Sequence, residues 1–485
     1  MYLGVDLGST NIKAAIYDRD LRLLDRRSKP VHYLRGGGLV EFDAEVYAGE
    51  LLALIRELTA VHGGDVREIA FTGQAESLVC LDASGRPCRN AISWMDDRST
   101  EECARLAEQF SPEECERVTG QQAVLPTWPA TKILWLKAHE PDVFTRTAHF
   151  VLLKDYIVHR LTGVLAADMS IATFTFYFDI YEKHYWKPML DAIGITEDRL
   201  PPLAEPCTTV GVLTAEAAEA AGLSPATRVN LGTLDHFAGM IGTGNVAPGG
   251  VTLSTGTVMA LTAMAVEPAP RNSGIAMHYG FLPDTHVMLP VAESGGVSLE
   301  WFRRTCMGGA DYDEMNRVLL QRKLPGTLLF LPYLVGTNAP EFDQDASGVF
   351  FGLRQEHDVF DLAGAVMEGV AYLLRRNCDD IRAKGTALTH IIATGGGAKS
   401  PVWCQLQADI TGLPVVIPAE KEAACLGAAL IAAVADGRFA SYTAAAEQCV
   451  RLERRYVPHP GPVYEKKYRQ FRALYPAALE ITRMD

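Results

Sequence analysis

Asp6 is the first residue whose type and setting call for chemistry. It sits inside the apolar run YLGVDLG and is followed at once by Gly8, Ser9, Thr10, Asn11 and then Lys13. A carboxylate is costly inside a buried strand unless something uses it. A Gly-Ser-Thr-Asn turn offers backbone N–H groups and hydroxyls to phosphate oxygens, and the carboxylate suits Mg²⁺, held directly or through water. The plain alternative is a hairpin with a polar turn, because the same residue types dominate short loops. The stretch GGVTLSTGTVMALTA repeats the arrangement half a chain later, with Thr257 in the turn. A third glycine-rich turn, Gly395 to Gly397 in IIATGGGAKS, ends an apolar run and leads through Ser400-Pro401 into a helical pattern. It reads either as a close approach to a flat ligand or as a tight strand-to-helix connection. Asp235, in VNLGTLDHFAGMIG, follows an apolar strand and opens a small-residue helix. It reads as a general base or as an ordinary helix cap. His236 beside it reads as structural.

These residues need strands and helices to hold them. YLGVDLG and NIKAAIYD pair as a hairpin, AEVYAGELLALIRELTAVH carries a helical apolar stripe, and VREIAFTGQAESLVCLD reads as strand, turn and strand. Alternation of this kind predicts an α/β architecture. The echo between the turns at Gly8 and Gly256 is what a duplicated domain leaves. A boundary is expected in GTGNVAPGG, which divides the chain into 1–244 and 245–485. Gly242, Gly244 and Ala247 meet the dinucleotide pattern G-x-G-x-x-A, but Pro248-Gly249-Gly250 follows where that motif needs a helix.

With 485 residues, 48% of them hydrophobic, the chain can bury a large core in two or more domains. A net charge of −14 argues against nucleic acid or an anionic membrane as partner. The ten cysteines show no C-x-x-C pair and read as reduced core residues. The longest apolar stretch, ACLGAALIAAVA, is too short to span a bilayer, and no signal peptide is visible, so a cytoplasmic protein is expected. The tail after Gly437 reads as a connecting segment and a final amphipathic helix. That helix packs back on its own domain or pairs two copies as a homodimer.

Two longer stretches narrow the reading. GVFFGLRQEHDVFDLAGAVMEG, Gly348 to Gly369, and TWPATKILWLKAHE, with Lys132, Trp135, Leu136 and His139 in place, resemble the two signatures of the FGGY carbohydrate kinases. Thr127 and Ala138 depart from the second. The resemblance implies two duplicated actin-like (ribonuclease H-like) domains with a nucleotide and sugar cleft between them. It implies ATP and Mg²⁺ as cofactors and a small sugar or polyol as the partner molecule. Read onto this chain, it places Ser9, Thr10, Asn11 and Lys13 near the ATP phosphates and Asp6 at the magnesium. Thr257 falls in the second phosphate turn. Gly296 and Glu300 in GGVSLEW, with Gly396 and Ser400, fall around the rest of the nucleotide. Asp235 falls at the catalytic aspartate.

The same resemblance places Gln74, Ala75 and Glu76 at the substrate turn. Glycerol kinases carry an Arg-Glu pair there and xylulokinases a Met-His pair; this chain has Ala75-Glu76. Thr127 replaces the aromatic of glycerol kinases, which argues against glycerol. Trp94 and Asp96 complete the pocket, or else Trp94 is core and Asp96 forms a surface pair with Arg98. The loop DMSIATFTFYFD resembles one near the sugar but is more apolar, with Met169, Ile171 and Phe174. A ketopentose such as xylulose or ribulose is the first expectation, with a tetrose, deoxysugar or polyol as alternatives. An inactive sugar or nucleotide sensor is the competing class.

Overall fold

The computed structural model describes residues 1–337 and 341–484. The chain forms two compact units. The first comprises Met1–Val246, Ala269–Val287 and Glu422–Val450; the second comprises Ala247–Pro268, Met288–Lys421 and Arg451–Asp485. The passage at Val246 lies two residues from the division at 244. The two later returns to the first unit leave no mark in composition, because each is an ordinary stretch of strand or helix.

In the first unit, Tyr2–Leu7 and Asn11–Tyr17 form the expected antiparallel hairpin, extended by Leu23–Pro30. On the other side of Tyr2–Leu7 lie Glu68–Gly73 and Arg228–Leu234, both parallel, and then Thr209–Val212, antiparallel at the edge. Burial of Tyr2–Leu7 on both faces explains why it reads as a continuous apolar run rather than an alternating one. The helix Ala44–His62 covers this sheet with Tyr47, Leu51, Leu54, Ile55 and Leu58. It starts where Asp43 accepts from the N–H groups of Glu45 and Val46, and it stops at Gly63. The strands Glu68–Gly73 and Leu78–Leu81, adjacent in sequence, belong to different sheets. The turn Gln74–Ser77 therefore joins two sheets instead of closing a hairpin.

The second unit repeats the scheme. Met259–Met264 is antiparallel to Gly250–Thr255, which is followed by His390–Gly395 and Val415–Pro418 in parallel and Leu452–Tyr456 antiparallel at the edge. The duplication suggested by the two turns is thus a duplication of sheet topology. Leu452–Tyr456 is a strand in what reads from sequence as a connecting segment. Four of its five residues are exposed, so it lacks the apolar alternation that marks a strand. The helix Pro462–Thr482 packs on its own unit through Lys467, Tyr468 and Phe471.

The small-residue helix Ala423–Ala435 returns to the first unit and lies against both Tyr2–Leu7 and Asp235–Gly242. Three glycines permit that approach. A Cβ on Gly4 would stand 2.0 Å from the Cys425 carbonyl oxygen, one on Gly242 1.9 Å from that of Ala423, and one on Gly427 1.8 Å from that of Ala238. The helix thereby fixes the strand that carries Asp6 and the helix that begins with Asp235. Among the described residues no helix is long and apolar enough to cross a membrane.

Candidate active site

Asp6 is the penultimate residue of its strand and pairs across the hairpin with Lys13, whose Nζ lies 3.9 Å from Asp6 Oδ2. The same ammonium donates to Glu422 Oε2 at 2.8 Å. Between them, Gly8 to Thr10 form the turn. Its carbonyl oxygens are engaged from behind: Tyr47 Oη and Gln74 Nε2 donate to Gly8, Tyr33 Oη to Ser9, and the Val31 N–H to Thr10. A turn whose acceptors are held on the protein side can offer its donors to an anion. Burial, reinforced by the Asp235 carboxylate and opposed by Lys13, pushes the Asp6 carboxyl up to about 7.

Asp235 is the first residue of the helix Asp235–Gly242, directly after the strand Arg228–Leu234. Its Oδ1 accepts from the adjacent His236 N–H at 2.6 Å, not from the donors one turn further in that an N-cap satisfies. The helix-cap reading therefore does not explain it. Glu76 also lies within reach of its field. Burial pushes the Glu76 carboxyl up to about 7, with Lys132 opposing and Asp235 reinforcing. The Thr127 hydroxyl stands 3.5 Å from Glu76 Oε1, and Ala75 is buried beside it. Glu76 has φ +66°, a left-handed backbone that costs a non-glycine residue of order 1 kcal/mol or more and tends to persist where function fixes the side chain. The structure brings Asp6, Asp235, Glu76 and Thr127 into one neighbourhood of the first unit.

Other sequence candidates are placed differently. Gln74 is buried, and its amide is committed to Gly8 and to the Ser77 hydroxyl. It braces the turn Gly8 to Thr10. Asp96 is fully buried: Oδ1 accepts from Arg98 N and Nε, and Oδ2 from Val40 N and an Arg98 terminal nitrogen. A carboxylate has about four acceptor sites, so none is left for a sugar hydroxyl. The pair with Arg98 is a buried clamp rather than a surface pair, because Arg98 also bonds Glu41 and lies over the Trp135 ring. Trp94 is exposed rather than core. Lys132, legible in sequence only as part of a signature, is fully buried and donates to the Ser93 carbonyl at 2.8 Å.

In the second unit Thr257, Gly296, Glu300, Gly396 and Ser400 line a single cavity of about 590 Å³, with Asn316, Lys399 and Trp403 as further walls. That volume lies in the range that accepts a nucleotide-sized ligand. The N–H groups of Gly296 and Val297 bond the Gly256 and Thr257 carbonyls, joining the second turn to the helix Gly296–Cys306. Glu300 is held by Arg303 and the Tyr312 hydroxyl. Ser400 caps Pro401–Thr411 and donates to Asn316 Oδ1 at 2.5 Å. Asn316 and Trp403 carry no glycine-rich or charge signal, so nothing local in the sequence marks them.

Residues 1–242 match the N-terminal domain of the FGGY family of carbohydrate kinases, and residues 251–435 match its C-terminal domain. The chain belongs to the FGGY family of carbohydrate kinases. The xylulose kinase of Bacillus subtilis (strain 168) is 30% identical over 479 residues, covering 98% of this chain and 95% of the relative. The gluconokinase of the same organism is 27% identical, covering 99% and 95%. The crystal structure of xylulose kinase from Rhodospirillum rubrum superposes with a TM-score of 0.92 at 26% identity, covering 99% of each chain. The chain is accordingly a carbohydrate kinase, with ATP as phosphoryl donor and a sugar-class hydroxyl as acceptor. Its two units have the actin-like fold expected from the sequence.

Proposed function

We propose that the chain transfers the γ-phosphoryl group of Mg-ATP to a hydroxyl of a ketopentose, xylulose being the first candidate. The observation that carries the catalytic assignment is Asp235. It stands free of a capping role at the end of the strand Arg228–Leu234, within the field of both Asp6 and Glu76. Asp235 is the base that takes the proton of the attacking hydroxyl. Glu76 accepts hydrogen bonds from neighbouring hydroxyls of the sugar, with Thr127 beside it and Trp94 exposed nearby. Ser9, Thr10, Asn11 and Lys13 receive phosphate in the first unit; Thr257, Gly296, Glu300, Gly396 and Ser400 line the nucleotide cavity of the second. Among the described residues no three His, Cys, Asp or Glu side chains converge as a metal site. Asp6 would hold the Mg²⁺ that comes with ATP, directly or through water. When bound, the ion would offset charge on the transferring group, and the chain's residues contribute mainly position.

Xylulose is supported by the relatives, among them the xylulose kinases of Bacillus subtilis and Rhodospirillum rubrum. The test is ADP release with Mg-ATP across ketopentoses, aldoses, tetroses, aldonates and polyols, beside Asp235→Asn. Turnover that depends on a ketopentose and is lost in the variant is expected. Preference for an aldonate or polyol would overturn the substrate, and an active Asp235→Asn the base.

A further inference from the structure

The strand that delivers Asp235 is not held by its sheet alone. Its register against Glu68–Gly73 slips between Asn230 and Thr233, and Gly232 adopts φ +65°. A Cβ at Gly232 would stand 1.6 Å from the Phe71 carbonyl oxygen, so only glycine permits the bulge. A bulge takes backbone groups out of the ladder, and buried ones must find other partners. Here side chains supply them. Lys154 Nζ donates to the Leu231 carbonyl at 2.5 Å and to Asp168 Oδ2 at 2.7 Å. Ser170 Oγ receives the Leu234 N–H at 3.3 Å.

The hydroxyls have one consistent direction. Ser170 Oγ donates its single proton to Asp168 Oδ2 at 2.9 Å, so the 2.7 Å contact with Thr233 Oγ1 has Thr233 as donor. Asp168 Oδ1 accepts from the Ser170 N–H, which fixes the short helix Met169–Ala172 from which Ser170 projects. The ion pair, Ser170 and Thr233 are all buried, with the Lys154 and Asp168 side chains 1% and 0% exposed. Each hydroxyl and each charge has its partners. The network ends on the residue before Asp235.

We propose that Lys154, Asp168, Ser170 and Thr233 are positioning residues for phosphoryl transfer: they lock the bulged strand end so that the Asp235 carboxylate is aimed at the attacking hydroxyl. The inference rests on Asp235 being the base. A displacement on the order of 1 Å at a reacting group costs about a hundredfold in rate. Releasing one end of the lock therefore lowers kcat without touching the nucleotide cavity.

The test uses the full chain with Mg-ATP and D-xylulose, or the panel sugar that turns over fastest. In Thr233→Val and Ser170→Ala, kcat falls roughly ten- to hundredfold while the KM for ATP stays within about twofold and the melting temperature is nearly kept. Thr233→Ser, which retains the hydroxyl, restores kcat. A folded Thr233→Val with wild-type kcat overturns the proposal. So does equal loss in the Ser and Val variants. Lys154→Met tests the ion pair and is read only against the two hydroxyl variants, which do not strand a charge. If Asp235→Asn itself turns over, the base assignment fails and the lock with it. If Asp235→Asn is inactive and Thr233→Val is not, the lock alone fails.

Discussion

Replacing Asp6 by asparagine separates the cost of keeping this carboxylate from its use. Burial, with the Asp235 charge second, raises the Asp6 carboxyl from 3.8 to about 7. In the unfolded chain it returns to an ordinary carboxylate. The native state therefore holds the proton more tightly, and the stability that goes with it is present below about pH 4 and is lost as pH rises toward 7. A shift of about three units corresponds to about 4 kcal/mol at most, of which about 2–3 kcal/mol falls between about pH 5 and pH 8. The neutral amide of the variant carries no such penalty. In urea unfolding of the nucleotide-free protein, Asp6→Asn is expected to unfold at a higher midpoint than wild type near pH 8. That advantage shrinks by the stated amount near pH 5. Mg-ATP should stabilise wild type more than the variant, and turnover should fall in Asp6→Asn. A difference that does not change with pH would refute the burial argument, and a wild type that is the more stable protein at about pH 8 would reverse its sign.

Three further substitutions test separate parts of the site. Glu76→Gln should lower kcat/KM for the sugar by about ten- to a hundredfold, through loss of a charged acceptor worth roughly 1.5–3 kcal/mol, with the KM for ATP unchanged; an effect on ATP instead would remove Glu76 from the sugar site. Asp96→Asn should cost about 3–5 kcal/mol of stability in denaturant melts, because the buried Arg98 loses one of its two carboxylate partners, with little change in sugar KM at temperatures where it is folded. Gly427→Ala should lower the melting temperature and kcat together, because a methyl 1.8 Å from the Ala238 carbonyl forces the helix Ala423–Ala435 off its seat. Circular dichroism melts beside initial rates measure both, and an unperturbed variant would show that the seam tolerates a shift.

Features that act within a few residues are set by the chain itself. The hairpin Tyr2–Tyr17, the helix Ala44–His62 and the turn after Gly250 are written in apolar runs, caps and glycines. The three glycine-rich turns and Asp235 are legible because a tight turn at a strand end demands glycine and small polar residues, and a carboxylate at the end of an apolar run stands out against it. Two signatures then carry the family. Features that depend on partners distant in the chain emerge only on folding. Asp96 cannot be told from a pocket residue until Val40 and Arg98 fill its oxygens. Gln74 becomes a brace because Gly8, 66 positions away, receives its amide. The return of Glu422–Val450 to the first unit rests on Gly4, Gly242 and Gly427, whose close approaches to Cys425, Ala423 and Ala238 arise only on folding. Lys154, Ser170 and Thr233 are polar residues inside apolar segments, and their pattern has no period. Polar groups in a core are specified by the group they satisfy, and that group is chosen by the fold.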